Sequence, residues 1–264
     1  MANRKTRPLD GQVALVTGGG KGIGRAIALA LAARGVCVVI TGRDEKALGS
    51  VIGEIANGGG KARHLKGDVR DAAHLRAAVA RATETFGGLD IAVANAGLPG
   101  RVPLGAEDPH AVEAIFQTNL VGAYSTFDAA ARVMKGPGRL LAVSSLLGKL
   151  GVPGYAAYSA SKAGLLGLVR ATAVELGPRA ITCNAVCPGS VDTPMADAAF
   201  EDAAGAAGQT PSEVRRAAVA KTPLGRFIDP EEVAELVVFL ASSGGDAITG
   251  QALSICGGAT ALGG

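Results

Sequence analysis

The 264-residue chain has no tryptophan, and aromatic residues make up only 3% of it, so no stacking platform marks a sugar or another planar ligand. Excess charge of one sign is also missing. The formal net charge is +3, from 26 basic and 23 acidic side chains, and the basic residues are scattered instead of running in blocks. That pattern argues against a nucleic-acid partner. The three histidines, His64, His74 and His110, include no pair spaced i,i+4, so no metal site is indicated. The four cysteines, Cys37, Cys183, Cys187 and Cys256, stand in apolar runs without CxxC spacing, as buried reduced thiols do. No run approaches about 18 consecutive apolar residues, and the polar, basic start "MANRKTRPLD" lacks the apolar core of a secretory signal. These absences predict a soluble cytoplasmic protein with no membrane partner.

What is present is a 48% hydrophobic content, enough for a sizeable buried core. Short β-branched runs alternate with longer amphipathic stretches. "QVALVT" (12–17) precedes a helical pattern over 22–34, then "VCVVIT" (36–41) and a helix from about Asp44. "KARHLKGDV" leads to a helix over about 71–86, "LDIAVAN" (89–95) and a long helix ending before the "GPG" at 136–138. "RLLAVSS" (139–145), a helix over about 157–176, "AITCNAVC" (180–187), a helix over 230–240 and "QALSIC" (251–256) complete the series. Strands apolar on both faces and separated by helices predict an α/β fold, a single doubly wound parallel sheet of Rossmann type covered by helices on both sides. Residues 1–264 then form one nucleotide-binding domain. Residues 189–226, rich in Gly, Ala and Pro, are too long for an ordinary connection and emerge at the carboxyl edge of the sheet, where ligands bind in such folds. A mobile substrate lid is expected there, in preference to a surface excursion without a role.

"VALVT" runs into "GGGKGIGRAIALALAARG", with Gly18, Gly22 and Gly24 spaced four and two apart before a helix. Glycine lets the backbone turn tightly and approach a pyrophosphate, and the helix N-terminus offers free N–H groups and positive dipole to it. The spacing departs from G-x-G-x-x-G, and a P-loop is excluded because Gly22, not Ser or Thr, follows Lys21. At the tip of the second strand an acidic residue would accept from a ribose 2′-OH and repel a 2′-phosphate. Here the strand ends in Gly42 and Arg43, with Lys21 on the same side and Asp44 placed to cap the next helix. Two cations and no carboxylate at that tip favour NADP(H) over NAD(H).

In "GYAAYSASKAG" (154–164), Tyr158 and Lys162 stand at i and i+4, one turn apart on one helix face. Tyr155 lies a further turn back, out of easy reach of the ammonium, and is expected to line the substrate mouth. A phenol has a pKa near 10, so a tyrosine acid needs help at neutral pH. A cation about 4 Å away at an effective dielectric near 20 favours the phenolate by up to ~4 kcal/mol, before desolvation opposes it. A carbonyl that accepts hydride develops negative charge on its oxygen and needs a second donor, which Ser144 or Ser145 at the end of "VSS" supplies.

Taken together, the chain resembles the short-chain dehydrogenases/reductases over almost its whole length. "TGGGKGIG" matches the family's TGxxxGIG, "ANAG" its NNAG, "TNLVG" its Asn-bearing helix segment, "YSASK" its YxxxK, and "CPGSVDTPM" the segment after the sixth strand. The resemblance implies Ser145 as the carbonyl-orienting serine, Tyr158 as acid/base, and Lys162 as its pKa modulator and a ribose ligand. Asn119 would hold a proton-relay water leading to Lys162. It further implies that Gly18, Ile23 and the neighbouring loop residues bind the pyrophosphate, and that Asp68 and Val69 meet the adenine. Asn95, Ala96 and Gly97 would line the cofactor, with Pro188, Gly189, Val191 and Thr193 around the nicotinamide end. Two departures stand out: Ala94 in place of the first Asn of NNAG, and Gly20 where many NADP-binding members carry Ser or Thr.

The implied activity is hydride transfer between NADP(H) and a small ketone or secondary alcohol. The look is closest to 3-oxoacyl-thioester reductases and aromatic polyketide ketoreductases. An NAD-dependent secondary or cyclic alcohol dehydrogenase shares the same catalytic set. A non-enzymatic nucleotide-binding module needs no such set, and a methyltransferase gives no reason for the tyrosine–lysine pair. Family resemblance also implies a homotetramer, with the apolar end "ALSICGGATALGG" fit for burial against a neighbour.

Overall fold

The strand segments are β1 (Val13–Thr17), β2 (Cys37–Gly42), β3 (Ala62–Lys66), β4 (Ile91–Ala94), β5 (Gly138–Val143), β6 (Ile181–Pro188) and β7 (Ala252–Ile255). In the computed structural model, which describes residues 9–262, all seven pair in parallel in the order β3-β2-β1-β4-β5-β6-β7. The basic start at residues 1–8 and the final glycines at 263–264 lie outside the described residues. The chain winds outward from β1 to β3, then returns to place β4 on the other side of β1. Loops leaving β1 and β4 therefore diverge at their carboxyl ends, and that crevice is where an open α/β sheet binds its ligand.

Alternation along the strands sends side chains to two separate cores. On β1, Ala14 and Val16 join a layer with Ile27 and Leu31 of α1 (Gly22–Ala32), Leu48 and Val51 of α2 (Glu45–Asn57) and Val233 and Val237 of α9 (Pro230–Ala241). Val13 and Leu15 join the opposite layer, formed by α3 (Ala72–Phe86), α5 (Gly122–Val133) and α6 (Ala156–Leu176). Every residue of β1, β5 and β6 is buried, as expected of strands covered on both faces. Fully burying one leucine such as Leu15 or Leu140 contributes about 1.5–3 kcal/mol.

One segment differs from the expectation, and a second takes a form the sequence left open. The long helix before residue 136 is interrupted: α4 (Pro109–Phe116) passes through a π-helical turn at Gln117–Val121 before α5 begins. The extra residue of that turn offsets the helix at Asn119, and such single-turn bulges are frequently found at functional sites. The 189–226 insertion contains two helices, α7 (Pro194–Ala207), capped by Thr193, and α8 (Pro211–Ala220), opened by a reciprocal Thr210–Glu213 capping box. The alanine-rich composition gives strong helix propensity here, bounded by Pro at each first turn and Gly208 at the left-handed C-cap. Among the described residues, no helix is long and apolar enough to cross a membrane. All four cysteines are free; three are buried and Cys37 is half-buried.

Candidate active site

The loop after β1 turns through Gly18 at φ 66° and Gly22 at φ 52°, a region of backbone space that favours glycine. A Cβ on Gly24 would sit 2.2 Å from the Gly18 carbonyl oxygen, so α1 packs directly on the turn. Lys21 caps α1 without a side-chain hydrogen bond, leaving the first helical N–H groups directed at the crevice. From the β4 side, Asn95 Nδ2 donates to the Thr17 and Gly18 carbonyl oxygens at 2.9 and 3.3 Å. Thr17 Oγ1 accepts from the backbone N–H groups of Asn95 and Ala96 at 3.0 and 3.1 Å. Sequence reasoning missed Thr17; its signal was a threonine buried at the strand end immediately before the first glycine.

These loops bound a cavity of about 290 Å³ lined by Gly18, Lys21, Gly22, Ile23 and Gly24, by Asn95, Ala96 and Gly97, and by Tyr158, Lys162 and Thr193. A second hollow of about 140 Å³ continues from it through Gly18, Ala96 and Gly97 to Arg43, Asp68 and Val69. The cradle fits a dinucleotide. Glycines stand where side chains would collide, helix donors face the turn, and a hollow beyond has room for a base. Thr118 also lines this second hollow, a residue that the sequence reading passed over.

The charges at the β2 tip are arranged differently from the expectation. Asp44 caps α2, accepting from Ala47 N at 3.1 Å, as expected. Its other oxygen, however, lies 2.7 Å from Lys21 Nζ, and Lys21 holds the Asp44 carboxyl below the usual carboxylate range. Of the two cations expected there, Lys21 is thus already paired, and Arg43 is the one that lines the hollow. Asp68 makes a two-pronged pair with Arg70 at 3.0 and 2.7 Å, and the guanidinium lowers its pKa.

The structure separates the two serines. Ser144 Oγ donates to the Lys162 carbonyl oxygen at 2.9 Å and fastens β5 to α6. Ser145 accepts from Leu147 N at 3.1 Å and lines the same apolar cavity as Tyr158, whose pKa its hydroxyl acts to lower. Tyr158 and Lys162 share one face of α6, with Lys162 Nζ 5.7 Å from the tyrosine ring centroid. The expected field is weaker than the burial around it. Burial raises the Tyr158 pKa, with the Ser145 hydrogen bond acting in the opposite direction, and it pushes Lys162 down to about 8. The physical reason is desolvation: Lys162 is buried, with its Nζ held against the Val143 carbonyl at 3.0 Å deep in the fold, away from water.

Asn119 is buried behind the cavity, where its amide donates to Leu98 O at 3.0 Å and Ser161 Oγ at 3.1 Å and its oxygen accepts from Leu98 N at 2.7 Å. A Cβ on Gly97 would lie 3.4 Å from both Asn119 Oδ1 and Lys162 Nζ, which brings the three residues to one spot. A further cavity, about 380 Å³ and mostly apolar, opens on the other side of Tyr158. Ser145, Tyr155, Pro188, Gly189, Val191 and Thr193 line it. Tyr155 caps the start of α6, its ring 6.4 Å edge-on from that of Tyr158. Sequence reasoning missed Leu147, in the short turn after Ser145, and Met195 and Phe200, because only the fold of the insertion brings α7 to the same cavity as Ser145.

A sequence model of the family described as Enoyl-(Acyl carrier protein) reductase matches residues 18–260. The 3-oxoacyl-acyl-carrier-protein reductase FabG of Thermotoga maritima is 34% identical, covering 95% of this chain and 98% of its own. The cis-4-hydroxycyclohexanecarboxylate dehydrogenase of Sinomonas cyclohexanicum is 38% identical, with 95% and 97% covered. Among solved structures, an actinorhodin polyketide ketoreductase variant with NADPH superimposes with a TM-score of 0.90 at 37% identity, over 94% of this chain and 97% of that one. The glycine turn at the sheet's switch point, the Ser145–Tyr158–Lys162 grouping beside it and these matches agree, and the chain belongs to the short-chain dehydrogenase/reductase family.

Proposed function

We propose that the protein is an NADP(H)-dependent reductase of ketones, acting on 3-oxoacyl thioesters or polyketide-type carbonyls. One observation carries this reading: Tyr158 lines both the glycine-walled cavity and the apolar cavity, and Ser145 lines the apolar cavity with it. A reduced nicotinamide, if bound in the first cavity, would supply the hydride. Ser145 and Tyr158 would then hold the carbonyl oxygen between two hydroxyl donors, where its growing negative charge is stabilised. Tyr158 gives up its proton to that oxygen, and the buried Lys162 ammonium favours the phenolate left behind. Asn119 fixes the backbone of Leu98 next to Gly97 and keeps the floor of the site closed, a place suited to a proton-relay water. Arg43 would take a 2′-phosphate, and residues 189–226, with α7 and α8, serve as the substrate lid.

The family description speaks of enoyl reduction, whereas the relatives reduce or oxidise at oxygen by name. A pair of hydroxyl donors suits a carbonyl oxygen better than an alkene carbon. The cyclohexanecarboxylate relative favours a second reading, an NAD-dependent cyclic alcohol dehydrogenase. The proposed homotetramer would cover the exposed Val121 and Tyr124 on the π turn and α5, and a cytoplasmic location is part of the same proposal. Steady-state assays of acetoacetyl thioesters, bicyclic ketones and cyclic alcohols with NADPH and NADH test the proposal. Turnover of thioester or polycyclic ketones with NADPH is the expected result. Oxidation of cyclic alcohols with NAD alone would overturn it.

A further inference from the structure

Arg215 stands on α8, outside both cavities, yet its guanidinium has contacts on three sides. Nη2 donates to Asp192 Oδ1 at 2.9 Å, Nη1 donates to Asp197 Oδ1 at 3.1 Å, and Cζ lies 4.4 Å from the ring centroid of Phe227. The two carboxylates bracket a short piece of chain that includes Thr193 and Met195, both of which line the cofactor cavity and the apolar cavity alike. Phe227 in turn stacks on Phe200, with centroids 5.5 Å apart and planes 9° from parallel, and Phe200 is part of the apolar wall. A parallel bridge between Val191 and Ile228 ties the two ends of the insertion together.

An isolated exposed ion pair holds little. Arg215 differs because one planar fork engages carboxylates on both sides of a turn while its flat face packs on an aromatic ring, which fixes a shape as well as a charge. A lysine could supply the charge but not the plane.

On the basis of the reductase reading, we propose that Arg215 is a positioning residue that seats residues 192–200 against both cavities. Cofactor binding beside Thr193 and ketone binding beside Phe200 are thereby coupled through one side chain. Two ligands that both bias one segment must influence each other reciprocally. In Arg215→Ala, the ketone KM with acetoacetyl thioester rises roughly fivefold to tenfold while kcat stays within about twofold, the scale set by losing two exposed pairs and a cation–π contact. Amide hydrogen exchange over 193–207 speeds up, and NADPH titrated by fluorescence protects that segment less than in the parent. Arg215→Lys recovers only part of each effect, and Asp197→Asn moves them in the same direction.

An unchanged KM together with unchanged exchange over 193–207 would overturn the proposal. So would complete recovery by Arg215→Lys, or exchange raised uniformly over the whole sheet with a lowered thermal midpoint. The exchange and NADPH measurements need no ketone. If the parent protein turns over no ketone, the reductase reading fails while these two measurements still decide the role of Arg215.

Discussion

Lys162 Nζ donates to the carbonyl oxygen of Val143 at 3.0 Å, and the Lys162 carbonyl in turn accepts from Ser144 Oγ at 2.9 Å. One lysine thus ties α6, which carries Tyr158, to the strand end that carries Ser145, and the two hydroxyls are fixed as a unit. Burial of that ammonium is the cost of the arrangement, and its consequences are measurable.

Burial pushes Lys162 from 10.5 down to about 8. Below about pH 8 the ammonium is charged in both folded and unfolded chains, and its desolvation weakens the fold by a constant amount. Between about 8 and 10.5 the unfolded chain binds more protons, so stability attributable to this residue rises with pH. Lys162→Met is therefore inactive but more stable than the parent at pH 7, by about 2 kcal/mol. Urea midpoints compared from pH 7 to 10.5 should show that advantage disappearing; an advantage independent of pH would contradict the assignment.

The same titration limits turnover. kcat/KM for NADPH at saturating ketone reports groups of the free enzyme and should fall above about pH 8, close to tenfold per pH unit. The Tyr158 phenol, held up by burial, stays protonated through this range. A rate that is flat to pH 10 would remove Lys162 from the mechanism.

Tyr158→Phe removes the proposed proton donor and keeps the ring that walls both cavities. Ketone reduction should drop by about 10²–10⁴-fold, while NADPH binding stays within a few-fold. Stopped-flow rates and a fluorescence titration on the same preparation check the two halves separately.

Arg43→Ala should weaken NADPH by roughly tenfold to a hundredfold, the loss of one or two charge-assisted hydrogen bonds, and leave NADH nearly unaffected. Lys21→Ala should have a smaller effect, because its ammonium is already paired with Asp44. Dissociation constants for both cofactors in both variants provide the comparison, and a larger loss from Lys21 would reverse the order proposed.

Gly24→Ala places a methyl 2.2 Å from the Gly18 carbonyl oxygen and 2.4 Å from Asn95 Nδ2. Backbone shifts of this kind cost about 1–3 kcal/mol, and they open the turn that faces the pyrophosphate. Both the thermal midpoint and NADPH affinity should fall. Gly49→Ala on α2, where a Cβ meets nothing within 4 Å, should leave both unchanged or raise the midpoint slightly.

The order of strands and helices, the glycine turn and the placement of Tyr158 one turn before Lys162 were determined by the sequence alone, because each is a local pattern. A short run apolar on both faces, a positive-φ turn and an i,i+4 spacing involve residues close together in the chain. The tertiary structure decided everything that depends on distant partners: Ser144 bound to Lys162 and Ser145 set beside Tyr158 in the apolar cavity, Lys21 paired with Asp44, Thr17 holding Asn95 and Ala96, Phe200 in the wall of that cavity. It also reversed the weight of the forces on Tyr158. Spacing predicts a nearby cation but says nothing of desolvation, which grows only when the strand, the helix and the insertion close over the site together.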